Sequence, residues 1–182
     1  TSPTRTFPIL ASILDGTNGN TWEKLPSVAR TLAFRLTVRD NHAGGGANTS
    51  DDVNVIISSA SGPFVVTAPN TAVTYAGGSS QTITWSVAGT TASPVNCANV
   101  KISLSTDGGQ TFPTVLITST PNDGSEILTI PATPTTTARI KIEAVGNIFF
   151  DISNTNFTIG GTVACGNPTG LSSTAIGDNT AT

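Results

Sequence analysis

The sequence predicts an all-β chain built from β-sandwich units, and three observations support this fold class. Apolar and polar residues alternate with a period of two in several segments, which is typical of strands with one buried and one solvated face. Turns rich in Gly, Pro and Asn separate these segments at short intervals. The chain of 182 residues contains 32 Thr, 18 Ser and 14 Asn, so strands and turns are favoured over long helices.

Residues 1–60 are predicted to be the C-terminal part of a β-sandwich domain. In the segment 32–39, Leu, Phe, Leu and Val alternate with Ala, Arg, Thr and Arg, which predicts a strand with one buried face. Val53, Val55 and Ile57 repeat the pattern, and the glycine-rich connection 40–51 predicts that the two strands form a hairpin. Two strands are too few to close a sandwich, so we expect this unit to be incomplete.

Residues 61–161 are predicted to form a complete sandwich of two antiparallel sheets. On one face of these strands lie apolar residues such as Ile83 and Trp85, and on the other lie Thr, Ser, Lys, Arg and Glu, including Ser103. The strand spacing and a core tryptophan at Trp85 are typical of an immunoglobulin-like β-sandwich. The predicted strands are 64–67, 71–75, 81–87, 100–105, 114–119, 126–130, 138–145 and 156–159.

Residues 162–182 resemble the opening of a fibronectin type III module that is cut short. Because the chain has no Met, even at position 1, we expect it to be a processed or trimmed piece of a longer chain. Cys97 and Cys165 are too few and too far apart for a zinc knuckle or a redox CxxC motif. Two interpretations of this pair stay open, namely one disulfide or two separate buried thiols.

Charge excludes one class of function. Charged residues make up 10% of the chain, the net charge is −3, and the eight Lys and Arg form no basic stripe, so a nucleic-acid binder is excluded. No apolar run reaches the roughly 18 residues of a membrane span, so none is expected. Low charge with abundant Thr, Ser, Asn and Gly is typical of exported bacterial β-modules, which predicts a secreted, extracellular or cell-surface location.

No catalytic residue is predicted within this chain. His42 is its single histidine, whereas an HExxH zinc helix needs two, and we expect it to be a solvated loop residue. Glu126, Glu143 and Asp151 are the carboxylates from which a glycosidase pair would have to come. Glu143 shares a strand face with Lys141 and Arg139, which favours an ion pair over catalysis.

Two loops offer oxygen ligands of the kind that calcium prefers. The first contains Asp15, Asn18 and Asn20, and the second offers Asp40 and Asn41 with Asp51 and Asp52. The three aspartates of the second loop are the better candidates for a calcium site. Hairpin capping is the alternative role, because the spacing of a known calcium loop is absent.

Residues 105–112 match the pattern S-x-D-x-G-x-T-aromatic, which is the Asp box of sialidase propellers and other extracellular β-proteins. Its members here are Ser105, Asp107, Gly109, Thr111 and Phe112. The Asp carboxylate bonds turn amides, the Gly permits a positive φ, and the aromatic ring packs under the hairpin. The motif therefore predicts a structural turn, and its single copy argues against a propeller.

Trp22 and Tyr75 are the aromatic residues that are candidates for stacking on a sugar or another polymer. Packing in the core or at its rim is the alternative role for both. Trp85 is excluded from this set because its strand pattern places it on an inward face.

Several long strings carry a resemblance to a known family. They are the run RTLAFRLTVRDN at 30–41 with the following GGG and SDDV, and the segments 62–90, 94–116, 121–126 and 138–159. Together they resemble the region downstream of the catalytic domain in secreted bacterial zinc metallopeptidases of the reprolysin-like class, over roughly residues 5–160. The portion 66–85 is also similar to a wider class of immunoglobulin-like modules of cell-wall proteins.

The resemblance implies a parent with a signal peptide, a zinc peptidase domain, accessory β-sandwiches and fibronectin type III repeats. Its HExxHxxGxxH helix is not in this chain, so no catalytic residue carries over, and zinc is expected only in the parent catalytic domain. The chain would be a non-catalytic spacer or a module that positions the substrate or a surface, next to neighbouring domains of the same chain. The alternative is a cell-surface adhesion or carbohydrate-binding module that contacts a protein or polysaccharide surface.

Overall fold

The computed structural model describes residues 5–17 and 19–162, and it is nearly all β. A five-residue helix, α1 (Leu10–Leu14), precedes the strands. The strands are β1 (Arg30–Arg39), β2 (Asn48–Ile57), β3 (Val65–Ala68), β4 (Thr74–Gly77), β5 (Ser80–Ser86), β6 (Asn99–Ser105), β7 (Thr114–Pro121), β8 (Ser125–Thr129), β9 (Thr135–Ala144), β10 (Phe150–Ile152) and β11 (Phe157–Thr162).

A three-stranded sheet and a six-stranded sheet build the sandwich. The first has the order β3-β5-β8, and the second has the order β4-β11-β9-β6-β7, with β10 also paired to β9. The predicted all-β sandwich is therefore confirmed. The eight strands predicted after residue 61 all occur, with ends shifted by at most three residues, whereas the short β10 and α1 were not predicted.

The core lies between the two sheets and follows the predicted alternation. Ile83, Ile102 and Ile140 are completely buried, and Trp85 is 4% exposed, as expected for the core tryptophan. Ser103 corrects the prediction, since it was expected on a solvated face and is 1% exposed. It lies in β6, with Lys141 and Val115 opposite it on the two flanking strands, so longer neighbours flank a small side chain.

Strand direction also corrects the prediction of two purely antiparallel sheets. β4 pairs in parallel with β11, and Thr74 lies opposite Thr158. The chain leaves the three-stranded sheet after β3 and joins the edge of the other sheet as β4. Because β3 and β4 are joined by a crossover between the two sheets and not by a hairpin, the chain does not reverse its direction between them.

β1 and β2 form the predicted hairpin, in a two-stranded sheet of their own. They pair antiparallel over ten residues each, from Arg30 opposite Ile57 to Arg39 opposite Asn48. One face carries the predicted row of apolar residues, and we call it the open hairpin face. Its apolar members are Leu32, Phe34, Leu36, Val38, Val53, Val55 and Ile57.

Burial of this face was predicted and is largely wrong. Leu36, Val38 and Val53 are 67%, 57% and 56% exposed, respectively. Phe7 packs edge-on against Phe34, with ring centroids 5.3 Å apart. Alternation fixes which residues share a face, but burial needs a second layer, and within residues 5–17 and 19–162 no second sheet covers this one.

Candidate functional site

Two shallow surface depressions lie in the N-terminal part of the chain. One, of about 310 Å³, is lined by residues 39–41 and 46–48 at the tip of the hairpin. The other, of about 270 Å³, is lined by residues 24–28 and Arg30. Both are open to solvent, so neither is an enclosed binding pocket.

Asp40 organises the loop at the hairpin tip. Its Oδ1 accepts hydrogen bonds from the backbone N–H groups of His42 at 3.1 Å and Ala47 at 3.0 Å. These bonds stabilise the ionised form and hold the pKa of Asp40 below its usual value. His42 is an exposed loop residue, and the contacts of Asp40 are those of a hairpin cap.

The other two predicted calcium ligands lie on opposite faces of β2. The Asp52 carboxylate takes a two-pronged hydrogen bond from Arg35, at 2.6 and 2.8 Å, which lowers its pKa. Asp51 lies opposite Leu36 on the other face, and its Oδ1 accepts from the Asp52 N–H at 3.0 Å. Among the described residues, no group of three or more His, Cys, Asp or Glu comes together as a metal site.

The first candidate calcium loop also has local partners. Oδ1 of Asp15 accepts from the N–H and hydroxyl of Thr17, which lowers the pKa of Asp15. Oδ1 of Asn20 accepts from the Trp22 and Glu23 N–H groups. Asn18 lies outside the described residues. Calcium binding at either loop stays a prediction.

The Asp-box residues form one hydrogen-bonded turn between β6 and β7. The Ser105 hydroxyl donates to Asp107 at 2.6 Å and accepts from the buried Gly109 N–H at 2.8 Å. Asp107 also accepts from the N–H and hydroxyl of Thr111, at 2.9 and 2.6 Å. The Ser105 hydroxyl and then the Thr111 groups lower the pKa of Asp107 to about 2. The half-buried Phe112 ring lies 5.1 Å from the ammonium of Lys141.

Glu143 lies between two lysines on the six-stranded sheet. Its Oε1 is 2.5 Å from the Lys101 Nζ, and its Oε2 pairs with Lys141. Partial burial works against ionisation, but the hydrogen bonds and charges of the two lysines outweigh it and lower the pKa of Glu143. Arg139 does not join this ion pair, because its guanidinium binds Asn156 and the Ser153 carbonyl instead.

The other two candidate acids bind elsewhere in the sandwich. Glu126 accepts a hydrogen bond from the Thr120 hydroxyl. Asp151 accepts from the Val66 N–H at 2.7 Å, which links β10 to β3, and burial raises its pKa. Each of the three carboxylates thus has its own structural partner.

The two candidate binding aromatics differ sharply in exposure. Trp22 is 91% exposed, at the tip of a turn in which the Asn20 side chain binds the Trp22 and Glu23 N–H groups at 2.8 and 2.9 Å. Tyr75 is half-buried against Phe157, with ring centroids 5.6 Å apart, and burial raises its pKa. Only Trp22 is presented to solvent as a stacking platform.

The Trp22 turn is closely packed in its backbone. Asn20 N–H donates to the Glu23 carbonyl at 2.7 Å, and Gly19 forms a bridge with Lys24. A Cβ at position 19 would lie 2.6 Å from the Glu23 carbonyl oxygen, so the turn requires glycine there. Glu23 also pairs with Arg5. These contacts fix the backbone of the turn that carries Trp22.

Cys97 is 3% exposed, and its thiol lies 3.2 Å from the Asn99 carbonyl oxygen. Cys165 lies outside the described residues, so the disulfide stays a prediction.

Asn122, which no sequence motif singled out, is the centre of a buried polar network. Its side-chain oxygen accepts from the Trp85 indole N–H at 2.9 Å. Its amide nitrogen donates to the Thr90 hydroxyl at 2.9 Å and to the Cys97 carbonyl at 3.1 Å. The one available signal was the presence of a core tryptophan, whose indole N–H needs an acceptor when buried.

Comparison with known proteins gives no family: no family model, no curated protein and no solved structure matches the chain. Within residues 5–17 and 19–162, no helix has the length and apolar character needed to cross a membrane.

Proposed function

We propose that the chain is a non-catalytic accessory region of a secreted, multidomain zinc metallopeptidase, in which it acts as a spacer or positioning module. The resemblance of residues 5–160 to the region downstream of such peptidase domains supports the class of parent. The open hairpin face is the observation that supports a role in positioning. Zinc belongs, in this proposal, to the parent catalytic domain.

The exposed residues of the open hairpin face favour an apolar partner. Leu36, Val38 and Val53 are exposed on one face of the hairpin, and Asp51 and Thr49 lie opposite Leu36 and Val38 on the same face. Exposed apolar residues grouped in this way indicate an interaction site, and a two-stranded hairpin is only marginally stable without a covering layer. The opposite face carries the Arg35–Asp52 ion pair and is suited to water.

The proposed occupant of the open hairpin face is an apolar β-layer of a neighbouring domain in the parent chain. Phe7 contacts Phe34 and leaves the Leu36 end exposed. A sheet packed about 10 Å above this end would bury all three exposed residues, and it would also have to supply a hydrogen-bonding partner for the Asp51 carboxylate on this face. The hairpin would then set the position of the sandwich relative to that domain.

The test compares two substitutions in the full-length secreted parent. Leu36→Gln puts an uncharged polar group on the open hairpin face, which avoids repulsion from Asp51 opposite it, whereas Ile56→Gln puts the same group on the opposite face, where Ile56 is 77% exposed. We expect Leu36→Gln to lower the melting temperature and the secreted yield of the parent, because a covered amide loses its hydrogen bonds to water. Ile56→Gln should leave both unchanged. Equal behaviour of the two variants would contradict covering of the open hairpin face.

The second candidate function is polymer binding, and the exposure of Trp22 is the observation that favours it. An indole that is 91% exposed on a hydrogen-bonded turn presents its ring faces to a sugar or another flat apolar surface. Tyr75 contributes to the rim of the core and is not part of this proposed surface.

Retention on insoluble polysaccharide or cell wall tests this candidate. Trp22→Ala is expected to weaken retention about tenfold, which corresponds to loss of about 1.4 kcal/mol of stacking. Ile127→Ala is the matched control, because Ile127 is 68% exposed on the sandwich. Retention that is absent in the wild type, or equal in both variants, would exclude binding through Trp22.

A further inference from the structure

The Asp-box turn contacts a distant part of the chain. Gly109 is buried and has φ +92°, and a Cβ built there would lie 2.6 Å from Cδ2 of Leu14. The Leu14 side chain therefore occupies the space that any other residue at position 109 would need. Leu14 is the last residue of α1, so the end of this helix sits on the turn.

A polar contact accompanies this apolar one. Arg139 Nη1 lies 3.4 Å from the Leu14 carbonyl oxygen and 2.9 Å from the Ser153 carbonyl oxygen, and Arg139 Nε donates to Asn156 at 2.6 Å. Arg139 lies directly opposite Ser105, the first residue of the Asp box. The guanidinium thus joins the end of α1 to the same end of the sandwich as Gly109.

The start of the same segment contacts the hairpin. Phe7 packs against Phe34 of β1, and the following Pro8 is among the fully buried side chains. Ser12, in the middle of α1, is 6% exposed, and its carbonyl accepts a hydrogen bond from Thr17. Residues 7–14 therefore touch the hairpin at one end and the sandwich at the other.

The covalent connection between hairpin and sandwich lies at the opposite end of the sandwich. There the Gly62 N–H donates to the Ala88 carbonyl at 2.8 Å, and the nearby Thr90 carbonyl accepts from Cys97, just before β6 begins. The Asp box begins at Ser105, which is the last residue of β6. The two attachments are thus separated by the seven residues of β6, roughly 20 Å along a strand.

We infer that residues 7–14 clamp the hairpin to the sandwich, and that the Asp-box turn is the socket for this clamp. Two attachments, one at each end of the sandwich, restrict rotation of the hairpin about the connection at 58–63. The contact at Leu14 is intramolecular, so its high effective concentration favours its formation. The Asp box then has a second role besides closing its own hairpin. This inference does not depend on the identity of the parent.

Leu14→Ala in the whole chain tests the clamp, with Leu25→Ala as the matched control, since Leu25 is 47% exposed and precedes the hairpin. We expect Leu14→Ala to speed hydrogen exchange of the Gly109 amide about tenfold. We also expect a larger maximum dimension in small-angle X-ray scattering, with the melting temperature of the sandwich kept. The clamp is wrong if both variants match the wild type in exchange and dimension.

A double-mutant cycle covers the case in which Leu14→Ala destabilises the chain more broadly. Gly109→Ala brings a methyl against Leu14 and also strains the backbone at positive φ. The strain cancels in the cycle, so Gly109→Ala should raise the exchange rate of the residue-109 amide far less when Leu14 is already Ala. Additive effects on this exchange rate would show that Leu14 and Gly109 do not interact.

Discussion

Replacement of Asn122 by Leu is expected to lower the free energy of unfolding by about 3–5 kcal/mol. Asn122 is 4% exposed, and its side chain bonds Trp85, Thr90 and Cys97 at 2.9, 2.9 and 3.1 Å. Leu has a similar volume and fills the space, so the loss is mainly polar. It leaves the Trp85 indole N–H and the Cys97 carbonyl without their described partner, and each buried orphan costs about 1–3 kcal/mol.

Urea unfolding measures this change, and Asn154→Ala serves as its control. Asn154 is exposed in the segment between β10 and β11, so its truncation should change stability by less than about 0.5 kcal/mol. A cost for Asn122→Leu no larger than that of the control would mean that the network does not stabilise the sandwich. It would also remove the explanation for an Asn at this position.

Asp107→Asn is expected to destabilise the sandwich at neutral pH by about 1 kcal/mol. The loss is no larger because the side chain is exposed and water competes for its hydrogen bonds. The ionised carboxylate accepts from Ser105 and from two groups of Thr111. An amide of the same size replaces one acceptor oxygen with a donor. Ser105 and Thr111 then lose part of the network that closes the turn.

The same substitution predicts a dependence on pH. The pKa of Asp107 is about 2 in the folded chain, against a usual value of 3.8, so folding favours its ionised form. Its contribution is therefore complete above about pH 4 and is lost as the pH falls towards 2. The stability difference between wild type and Asp107→Asn should shrink over this range.

Asp123→Asn is the matched control for this titration, because Asp123 lies in another turn and makes one weak contact, 3.3 Å from Ser125 N–H. It should change the unfolding free energy little. A difference for Asp107→Asn that stays constant from pH 7 to pH 2 would contradict the depressed pKa.

Local patterning predicted most of the strands because alternation depends only on neighbouring residues. It placed Ile83 and Trp85 in the core correctly. It did not predict the parallel pairing of β4 with β11, because strand direction in a sheet depends on where distant segments meet. β10 was missed because three residues are too few to show a period.

The sequence predicted which face of a strand each residue lies on better than it predicted whether that face is buried. The open hairpin face contains the residues that alternation assigned to it, but their exposure depends on a covering layer that a local pattern does not contain. The same limit applies to Ser103, which is buried because longer residues flank it across the sheet. The contact between Leu14 and Gly109 joins residues far apart in sequence and left no local signal.

The candidate sites show a similar division. Trp22 was identified from residue type alone, and its 91% exposure could not be predicted from a local pattern. Asp40, Asp51 and Asp52 cluster in sequence, yet alternation along β2 sends Asp51 and Asp52 to opposite faces. Closeness in sequence therefore did not bring these carboxylates together in space.

Sequencing the parent gene on both sides of this segment tests the central proposal most directly. We expect an upstream, in-frame HExxHxxGxxH motif, whose histidines would bind the zinc of a peptidase domain. An upstream region made only of further β-repeats would contradict the metallopeptidase parent. The adhesion module supported by Trp22 would then be the better explanation.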